Sequence, residues 1–352
     1  MGNIIIFYDS RFPIDGQRPN RSFFESFSNE IIVADALSLE EVLANSEVDC
    51  FINMHGPYFP KSAWDAIYRH MESGKGFVHI GGIPFRILCY MTNGNWERER
   101  VQTAYHQQLN IHEALHVKSE PIASLQHNKD IPVFSGKEDL FPIEDTCNFV
   151  LHVTKSSAIE SEMGSVGPMD ARIYPLLKGV SKSGREVAAP SVLIENTKGK
   201  FTGGRWLFIN QKVNEQFWTE KGAKAIEELA LFATNGVTEM WLKTNYATYD
   251  EGERPKVTYQ LQSFKNVVTE WTLTFTVTKN KETIFSKTEA VNASQQLNAL
   301  SFVLPIDIMP GLYELTCHAA SSTGETRILH QGFWGILLKE AAASPTMQQN
   351  LE

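Results

Sequence analysis

The chain has 352 residues, of which 42% are hydrophobic and 21% are charged, a composition that excludes collagen-like, coiled-coil and wholly disordered proteins. Its 41 acidic and 32 basic residues give a formal net charge of −9, which argues against binding to a nucleic-acid backbone. No apolar run approaches the roughly 20 residues that cross a bilayer, so neither nucleic acid nor membrane is expected as a partner.

The four cysteines are spread along the chain and form no CxxC pair: Cys50, Cys89, Cys147 and Cys317. This spacing favours no zinc site and no redox motif, and we predict neither a metal nor a cofactor. The opening sequence MGNIIIFYDS lacks the basic segment and long apolar stretch of a signal peptide. The localisation therefore stays open between a bacterial cytoplasm and secretion.

The first 80 residues alternate between strand and helix patterns. The runs GNIIIFYDS, IIVAD, VDCFINM and GFVHI indicate strands that are covered on both faces. Between them, SLEEVLAN carries a capping box, and KSAWDAIYRHMESG has the apolar stripe of a helix that ends at Gly74. This alternation predicts right-handed crossovers and a flavodoxin-like α/β domain built on a mostly parallel sheet.

The middle of the chain continues this domain. CNFVLHVT, REVAAPSVLIEN and GGRWLFIN indicate strands that are separated by turn signals. NEQFWTEKGAKAIEELALFATNG indicates a closing helix, so we predict an α/β domain over residues 1–236.

From residue 237 the pattern changes to short runs rich in Val, Thr, Phe and Tyr, repeated about every 10–15 residues. This pattern predicts an all-β sandwich over residues 237–338. The last residues, 339–352, show no period and are predicted to be a linker or a tag remnant. We expect the native polypeptide to continue beyond them.

The segment FINMHGPYFPKSAWDAIYRHMESGKGFVHIGGIPFR resembles the class I glutamine-amidotransferase-like fold, in the catalytically silent form found in accessory N-terminal regions of large bacterial glycoside hydrolases. The stretch from Tyr174 to Asn210 is similar to the same domains. Residues 237–338 resemble the immunoglobulin-like modules that follow them. The resemblance implies an amidotransferase-like domain, then an immunoglobulin-like sandwich, within a parent protein that is a glycoside hydrolase.

Catalytic members of that family carry a Cys on the sharp turn after a strand, where backbone N–H groups stabilise an oxyanion. The matching turn here, after GFVHI, reads Gly-Gly-Ile-Pro over residues 81–84. It offers no thiol or hydroxyl, and Cys89 lies seven residues beyond Gly82. We therefore predict a pseudoenzyme with no catalytic residue of its own.

Ligands of parallel sheets bind beyond the carboxyl ends of the strands. At that edge the sequence places one candidate pocket: Asp9, Ser10, His55, Gly56, Tyr58, Gly81 and Gly82. The imidazole of His55 titrates near neutrality and would suit acid–base chemistry. The alternative is that the glycines permit tight turns and that His55 binds the backbone of a loop.

Exposed indole rings stack on sugars, so we also consider Trp96 in GNWERER and Trp218 in NEQFWTEK as sugar platforms. Three functions stay open. The first is an accessory region that serves oligomerisation or packing on its own catalytic domain. The second is a carbohydrate-binding module, with a carbohydrate as ligand. The third is a small-molecule hydrolase that uses His55, Tyr58 and Asp9.

Overall fold

A computed structural model describes residues 3–27, 31–44, 47–152 and 169–336. The chain divides into two units. The first comprises residues 1–238 and 263–267, and the second comprises residues 239–262 and 268–352. The predicted linker, residues 339–352, lies outside the described residues.

The described part of the first unit contains thirteen complete strands and five α-helices. The strands are β1 (Asn3–Phe7), β2 (Ile31–Ala34), β3 (Val48–Asn53), β4 (Tyr58–Pro60), β5 (Gly76–Ile80), β6 (Ile87–Thr92), β7 (Asn95–Arg98), β8 (Ile111–Val117), β9 (Ser124–His127), β10 (Thr146–Leu151), β11 (Ala171–Val180), β12 (Glu186–Asn196) and β13 (Arg205–Ile209). The helices are α1 (Arg21–Glu25), α2 (Leu39–Ala44), α3 (Trp64–Glu72), α4 (Ala104–Gln108) and α5 (Glu220–Thr234). None of the described helices is long and apolar enough to cross a membrane.

The main sheet has eight strands in the order β2-β1-β3-β5-β13-β12-β11-β9. The first five run parallel to one another. The direction then reverses, because β12 is antiparallel to β13, and β11 and β9 continue the antiparallel part. Two smaller sheets accompany it, one of β4, β6 and β7 and the other of β8 and β10.

The predicted fold class, a flavodoxin-like domain followed by an immunoglobulin-like sandwich, is wrong. Strands make up 46% of the structure and helices only 16%, and the large sheet is mixed. The physical reason lies between β5 and β13. A parallel pair needs a long crossover, usually a helix, whereas antiparallel strands join through a tight turn. The described part of residues 81–204 contains one α-helix, α4, and seven strands, so the chain returns to the sheet through hairpins.

Both faces of the main sheet are covered because successive side chains of a strand point to opposite sides. Ile5 and Phe7 of β1 pack with α2 and α3 on one face, whereas Ile4 and Ile6 pack with α5 on the other. Each such side chain contributes roughly 1.5–3 kcal/mol when it is fully buried. The two cores hold the parallel strands, and with them the loops that follow, in fixed positions.

A buried ion pair crosses the strands β12 and β13. The Arg205 guanidinium, whose side chain is fully buried, donates from Nε and Nη2 to Oε1 of Glu195 at 3.0 and 2.9 Å. Its Nη1 donates to the carbonyl of Phe232 at 3.1 Å, and the guanidinium lies 4.4 Å from the centre of the Phe232 ring. The pair thereby connects the reversal point of the sheet to α5.

The second unit contains eight strands: β14 (Thr238–Thr244), β15 (Thr248–Asp250), β16 (Lys256–Ser263), β17 (Thr269–Lys279), β18 (Glu282–Ala293), β19 (Asn298–Val303), β20 (Gly311–Ser321) and β21 (Thr326–Ile336). They form one sheet in the order β14-β16-β19 and another in the order β15-β21-β20-β17-β18. Buried side chains of both sheets share one core that includes Tyr259, Trp271, Phe275 and Phe333.

Candidate functional site

The carboxyl ends of β1, β3, β5 and β13 meet at one edge of the main sheet, because these strands are parallel neighbours. A pocket of about 410 Å³ lies at this edge, between the loops that follow β5 and β13. Its wall includes Gly81, Gly82 and Ile83 after β5, and Asn210, Gln211 and Lys212 after β13. The volume lies within the range of small-molecule sites.

The turn after β5 is held against β13 by its own backbone. The N–H groups of Gly81 and Gly82 both donate to the carbonyl of Ile209, each at 3.1 Å. Their φ angles are +106° and +97°, in the region that favours glycine. Gly56 packs against this turn so closely that a Cβ there would lie 2.5 Å from the Gly81 oxygen. The glycines therefore set how closely the loops that follow β3, β5 and β13 approach one another.

The opposite wall comes from the ends of β8 and β10, with Cys147 and His116 paired across them. Cys147 is buried, its Sγ lies 3.9 Å from the carbonyl oxygen of Asn210, and burial raises the pKa of its thiol to about 12. The hydroxyl of Thr146 donates to the same oxygen at 3.0 Å. Neither side chain is therefore an activated nucleophile.

The side chains of Asn210 and Gln211 are held by hydrogen bonds to backbone carbonyls. Nδ2 of Asn210 donates to the carbonyls of Cys147 at 3.2 Å and Ala189 at 3.3 Å. Nε2 of Gln211 donates to the carbonyl of Pro142 at 2.8 Å. Because carbonyls accept only from the NH₂ groups, these contacts fix which end of each amide is oxygen. The oxygens Oδ1 and Oε1, both buried, have no hydrogen-bond partner among the described residues.

A second pocket of about 360 Å³ adjoins the first and shares Ile83 and Arg86 with it. Nε of Arg86 is buried and has no partner among the described residues. His106 lines the second pocket, and burial, with a smaller contribution from Arg86, lowers the pKa of its imidazole to about 4. Arg86 thus lies between the two pockets and lines both of them.

Most of the sequence-predicted pocket residues lie elsewhere. Of the seven, only Gly81 and Gly82 line the pocket. His55 is fully buried; the backbone N–H of Asp9 donates to its Nε2 at 2.9 Å, and its Nδ1–H donates to the carbonyl of Pro13 at 2.9 Å. Burial lowers the pKa of His55 to about 4, so the imidazole is neutral and holds two loop backbones together.

The other predicted side chains have separate partners. The Asp9 carboxylate accepts from the backbone N–H of Arg11 at 2.8 Å, Ser10 is exposed, and Gly56 serves the close packing described above. The hydroxyl of Tyr58 accepts from Nη1 of Arg98 at 3.3 Å. A hydrolase that uses His55, Tyr58 and Asp9 requires their side chains to converge on one cavity, and none of the three lines the pocket.

Both candidate sugar platforms pack against phenylalanine rings of the first unit. The ring of Trp96 is half-buried and meets Phe12 edge to face at 4.8 Å. Trp218 is buried against Phe23, and its Nε1 donates to the carbonyl of Gln17 at 2.9 Å. Neither indole lines the pocket.

Sequence reasoning missed Arg86, Asn210 and Gln211. Asn210 and Gln211 follow the buried strand RWLFI directly, in the same relation to β13 as Asp9 has to β1. That position was a usable signal. Arg86 has no such signal, because it comes to the pocket from a loop beyond the turn. Within the described ranges, no group of three or more His, Cys, Asp or Glu residues could hold a metal ion.

Four buried histidines are expected to make the first unit sensitive to acid. Burial lowers the pKa of His55, His70 and His106 to about 4 and of His79 to about 3. Between about pH 6.5 and pH 4 the unfolded chain binds protons that the folded chain does not, so stability falls as the pH falls, by up to about 1.4 kcal/mol per pH unit for each histidine.

The midpoint of urea unfolding at pH 7, 6 and 5 measures this dependence. In the variant His55→Gln the midpoint should fall less steeply as the pH falls, because one of the four histidines with a lowered pKa is removed. A midpoint that does not change between pH 7 and pH 5 would contradict the expectation.

Comparison with known proteins identifies no family. No protein-family model matches the sequence, and no curated protein matches it. Neither an amidotransferase-like nor an immunoglobulin-like domain is therefore identified by a family model.

Solved structures align only over short stretches. The sporulation control protein Spo0M of Bacillus subtilis aligns with 28% of this chain and 49% of its own, at 14% identity and a TM-score of 0.22. The β-glucosidase EmGH1 of Erythrobacter marinus aligns with 29% of this chain and 16% of its own, at 9% identity and a TM-score of 0.22. A calcium-binding mutant of β-glucuronidase 2 of Bacteroides uniformis aligns with 27% of this chain and 12% of its own, at 10% identity and a TM-score of 0.21.

Glycoside hydrolases are thus among the weak structural neighbours of this chain. The chain spans at most 49% of the length of these three proteins. Alignments at such TM-scores do not establish a shared fold or a shared activity.

Proposed function

We propose that this chain is a non-catalytic accessory region of a carbohydrate-active protein, which acts by binding and packing. The observation that carries the proposal is the turn after β5, whose Gly81 and Gly82 N–H groups are both bound to the Ile209 carbonyl. The resemblance of the sequence to silent amidotransferase-like domains of glycoside hydrolases supplies the class of the parent protein.

Acyl transfer at that turn would need two kinds of group. One is a pair of N–H groups about 3 Å from a developing oxyanion, and the other is a nucleophile that ionises near neutral pH. The two N–H groups are already used within the sheet. The nearby Cys147 thiol, with its pKa raised to about 12 by burial, stays protonated at pH 7.

Two assays of the purified chain test the proposal. Incubation with glutamine, with simple esters and with a panel of nitrophenyl glycosides should give no turnover above buffer. Iodoacetamide, followed by mass spectrometry, should label Cys147 much more slowly in the folded chain than in urea. The control variant is Cys317→Ser, since Cys317 is also a buried thiol with a pKa raised to about 12 but lies in the second unit. Turnover that Cys147→Ser abolishes and Cys317→Ser retains would overturn the proposal.

The packing part of the role concerns the edge of the main sheet. β2 has β1 as its neighbour in the sheet, and it exposes Ile32 and Val33, with Leu37 exposed just beyond it. Unpaired edges with apolar side chains are surfaces at which chains associate. We propose a second copy of the chain, or the parent's own catalytic domain, as the partner. Analytical ultracentrifugation of the purified chain at several concentrations tests whether it binds a second copy of itself. Val33→Lys should weaken any self-association through β2.

A further inference from the structure

We propose that the strand β19 (Asn298–Val303) is a dimer interface, at which two copies of this chain join their three-stranded sheets edge to edge about a two-fold axis. The proposed accessory role places packing on β2 of the first unit. β19 belongs to the second unit and is a surface that the accessory role does not use, and its occupant is a second copy of the chain.

β19 leaves one of its two edges open. It is the last strand in the order β14-β16-β19, and it pairs with β16 over six consecutive residues without a register shift. In an antiparallel pair, every second residue directs its N–H and C=O groups away from the partner strand. Among the described residues, no backbone group binds those of β19 on the side away from β16. Such a row of unpaired groups is a template for a further strand.

The side chains of β19 are accessible as well. Ala299, Leu300, Ser301 and Val303 are exposed. Leu300 and Val303 are 38% and 55% exposed, although both are apolar. Apolar side chains beside an unpaired edge lose their contact with water when a second strand is added, which favours association.

β19 also lacks the charges that normally prevent edge strands from pairing. The other edge strands of the second unit, as far as the structure describes it, each contain an acidic or basic side chain: β14, β15 and β18. β19 has the sequence NALSFV, with neither a charge nor a proline. A two-fold pair sets a strand against its own copy, so a charge in β19 would face a like charge. A partner of different sequence would need no such neutrality, because it can supply opposite charges. The uncharged strand therefore favours a second copy as the partner.

One cation lies beside β19. Nζ of Lys287, on β18, is 4.3 Å from the centre of the Phe302 ring. The same ammonium group contacts the carboxylate of Glu289, so its charge is compensated within each copy. Lys287 therefore adds no unpaired charge at the joint between two copies.

The two sides of β19 restrict how two copies can pair. Leu300 and Phe302 lie opposite the buried residues Tyr259 and Val257 of β16, so they face the core of the sandwich. Directly opposed residues of an antiparallel pair face the same side of the sheet. A two-fold axis perpendicular to the joined sheet keeps the core sides of both copies on one side. Core-facing residues must therefore oppose core-facing residues.

A register centred on Ser301 meets this condition. Leu300 then opposes the partner's Phe302 on the core side, and Ala299 opposes the partner's Val303 on the outer side. Ser301 lies on the axis and opposes the partner's Ser301. The joint thus pairs apolar side chains on both sides of the sheet, around one small uncharged residue.

Sedimentation equilibrium of the full chain tests the interface. All samples carry Val33→Lys, so that β2 cannot contribute, and they cover concentrations from about 5 to 500 µM. We expect a reversible dimer with a dissociation constant of about 100 µM or lower. Ser301→Lys sets two ammonium groups against each other and should raise this constant about tenfold or more. Ser286→Lys is the matched control, because Ser286 is an exposed serine on another edge strand, β18, and this change should leave the constant unaltered.

A mixture of two variants tests whether Ser301 faces its own copy. Equal amounts of Ser301→Lys and Ser301→Glu should associate more tightly than either variant does with itself, because opposite charges then meet. Unfolding midpoints near that of the Val33→Lys chain check that both variants are folded. A monomer at all concentrations, a dimer that Ser301→Lys leaves unchanged, or a mixture no tighter than its components would each overturn the interface. None of these results touches the accessory role, which turnover in the assays above would overturn.

Discussion

Replacing Gly56 with alanine is expected to destabilise the first unit by about 2–5 kcal/mol. The φ angle of Gly56 is +60°, where an L-residue is strained, and the new Cβ would lie 2.5 Å from the carbonyl oxygen of Gly81. That oxygen belongs to the backbone of a turn that two hydrogen bonds hold to Ile209. It cannot rotate away as the end of a side chain would, so the loops after β3 and β5 must separate.

Scanning calorimetry of Gly56→Ala measures the effect, and the same change at Gly82 is the matched control. Gly82 also has a positive φ, +97°, but a Cβ there would meet no atom within 4 Å. Gly82→Ala should therefore show only the conformational cost, about 1–2 kcal/mol. Equal losses in the two variants would show that the close approach of Gly56 to Gly81 is unimportant.

Removal of the guanidinium at Arg205 is expected to cost about 3–5 kcal/mol, because Arg205→Met leaves the Glu195 carboxylate buried without the cation that faces it. The Arg205 side chain is fully buried and that of Glu195 is 6% exposed, so water cannot replace the lost partner. The packing of the guanidinium on Phe232 would be lost at the same time.

A double-mutant cycle, measured by urea unfolding, isolates the free energy of interaction between Arg205 and Glu195. The double variant Arg205→Met with Glu195→Met should be more stable than Arg205→Met alone, because it removes the buried charge as well. The exposed pair of Arg21 and Glu25 provides the comparison, and Arg21→Met should cost less than about 1 kcal/mol. If the second substitution adds its full cost to the first, the two side chains are not coupled.

The sequence predicts single elements of the first unit well and their arrangement poorly. GFVHI forms β5 over Gly76–Ile80, and the helix before it in the chain, α3, is followed by Gly74 at φ +72°, as the sequence predicts. Runs of apolar residues and caps are local signals. The direction of β12 is not local, since it depends on the short turn that joins β12 to β11 and on the bonds that Ser191–Glu195 make to β13.

The same distinction applies to the site. A sheet edge is predictable from the strand ends, and the turn at Gly81 and Gly82 does line the pocket. His55 has the residue type of a catalyst but the surroundings of a structural group, because both ring nitrogens face backbone atoms. Burial of the His55 imidazole decides between a catalytic and a structural role. That burial depends on the rings of Phe7 and Phe12, which pack against the imidazole only once the chain has folded.

The order of strands in the main sheet also constrains how the protein can be synthesised. β5 lies inside the parallel part of the sheet, and its neighbours are β3, which ends at Asn53, and β13, which begins at Arg205. Until the ribosome has released Arg205–Ile209, one edge of the buried strand β5 lacks the neighbour with which it pairs in the folded sheet. Synthesis from the N-terminus therefore leaves this edge of β5 without its neighbour while residues 81–204 are made, and β13, the last strand of the main sheet in chain order, then covers it.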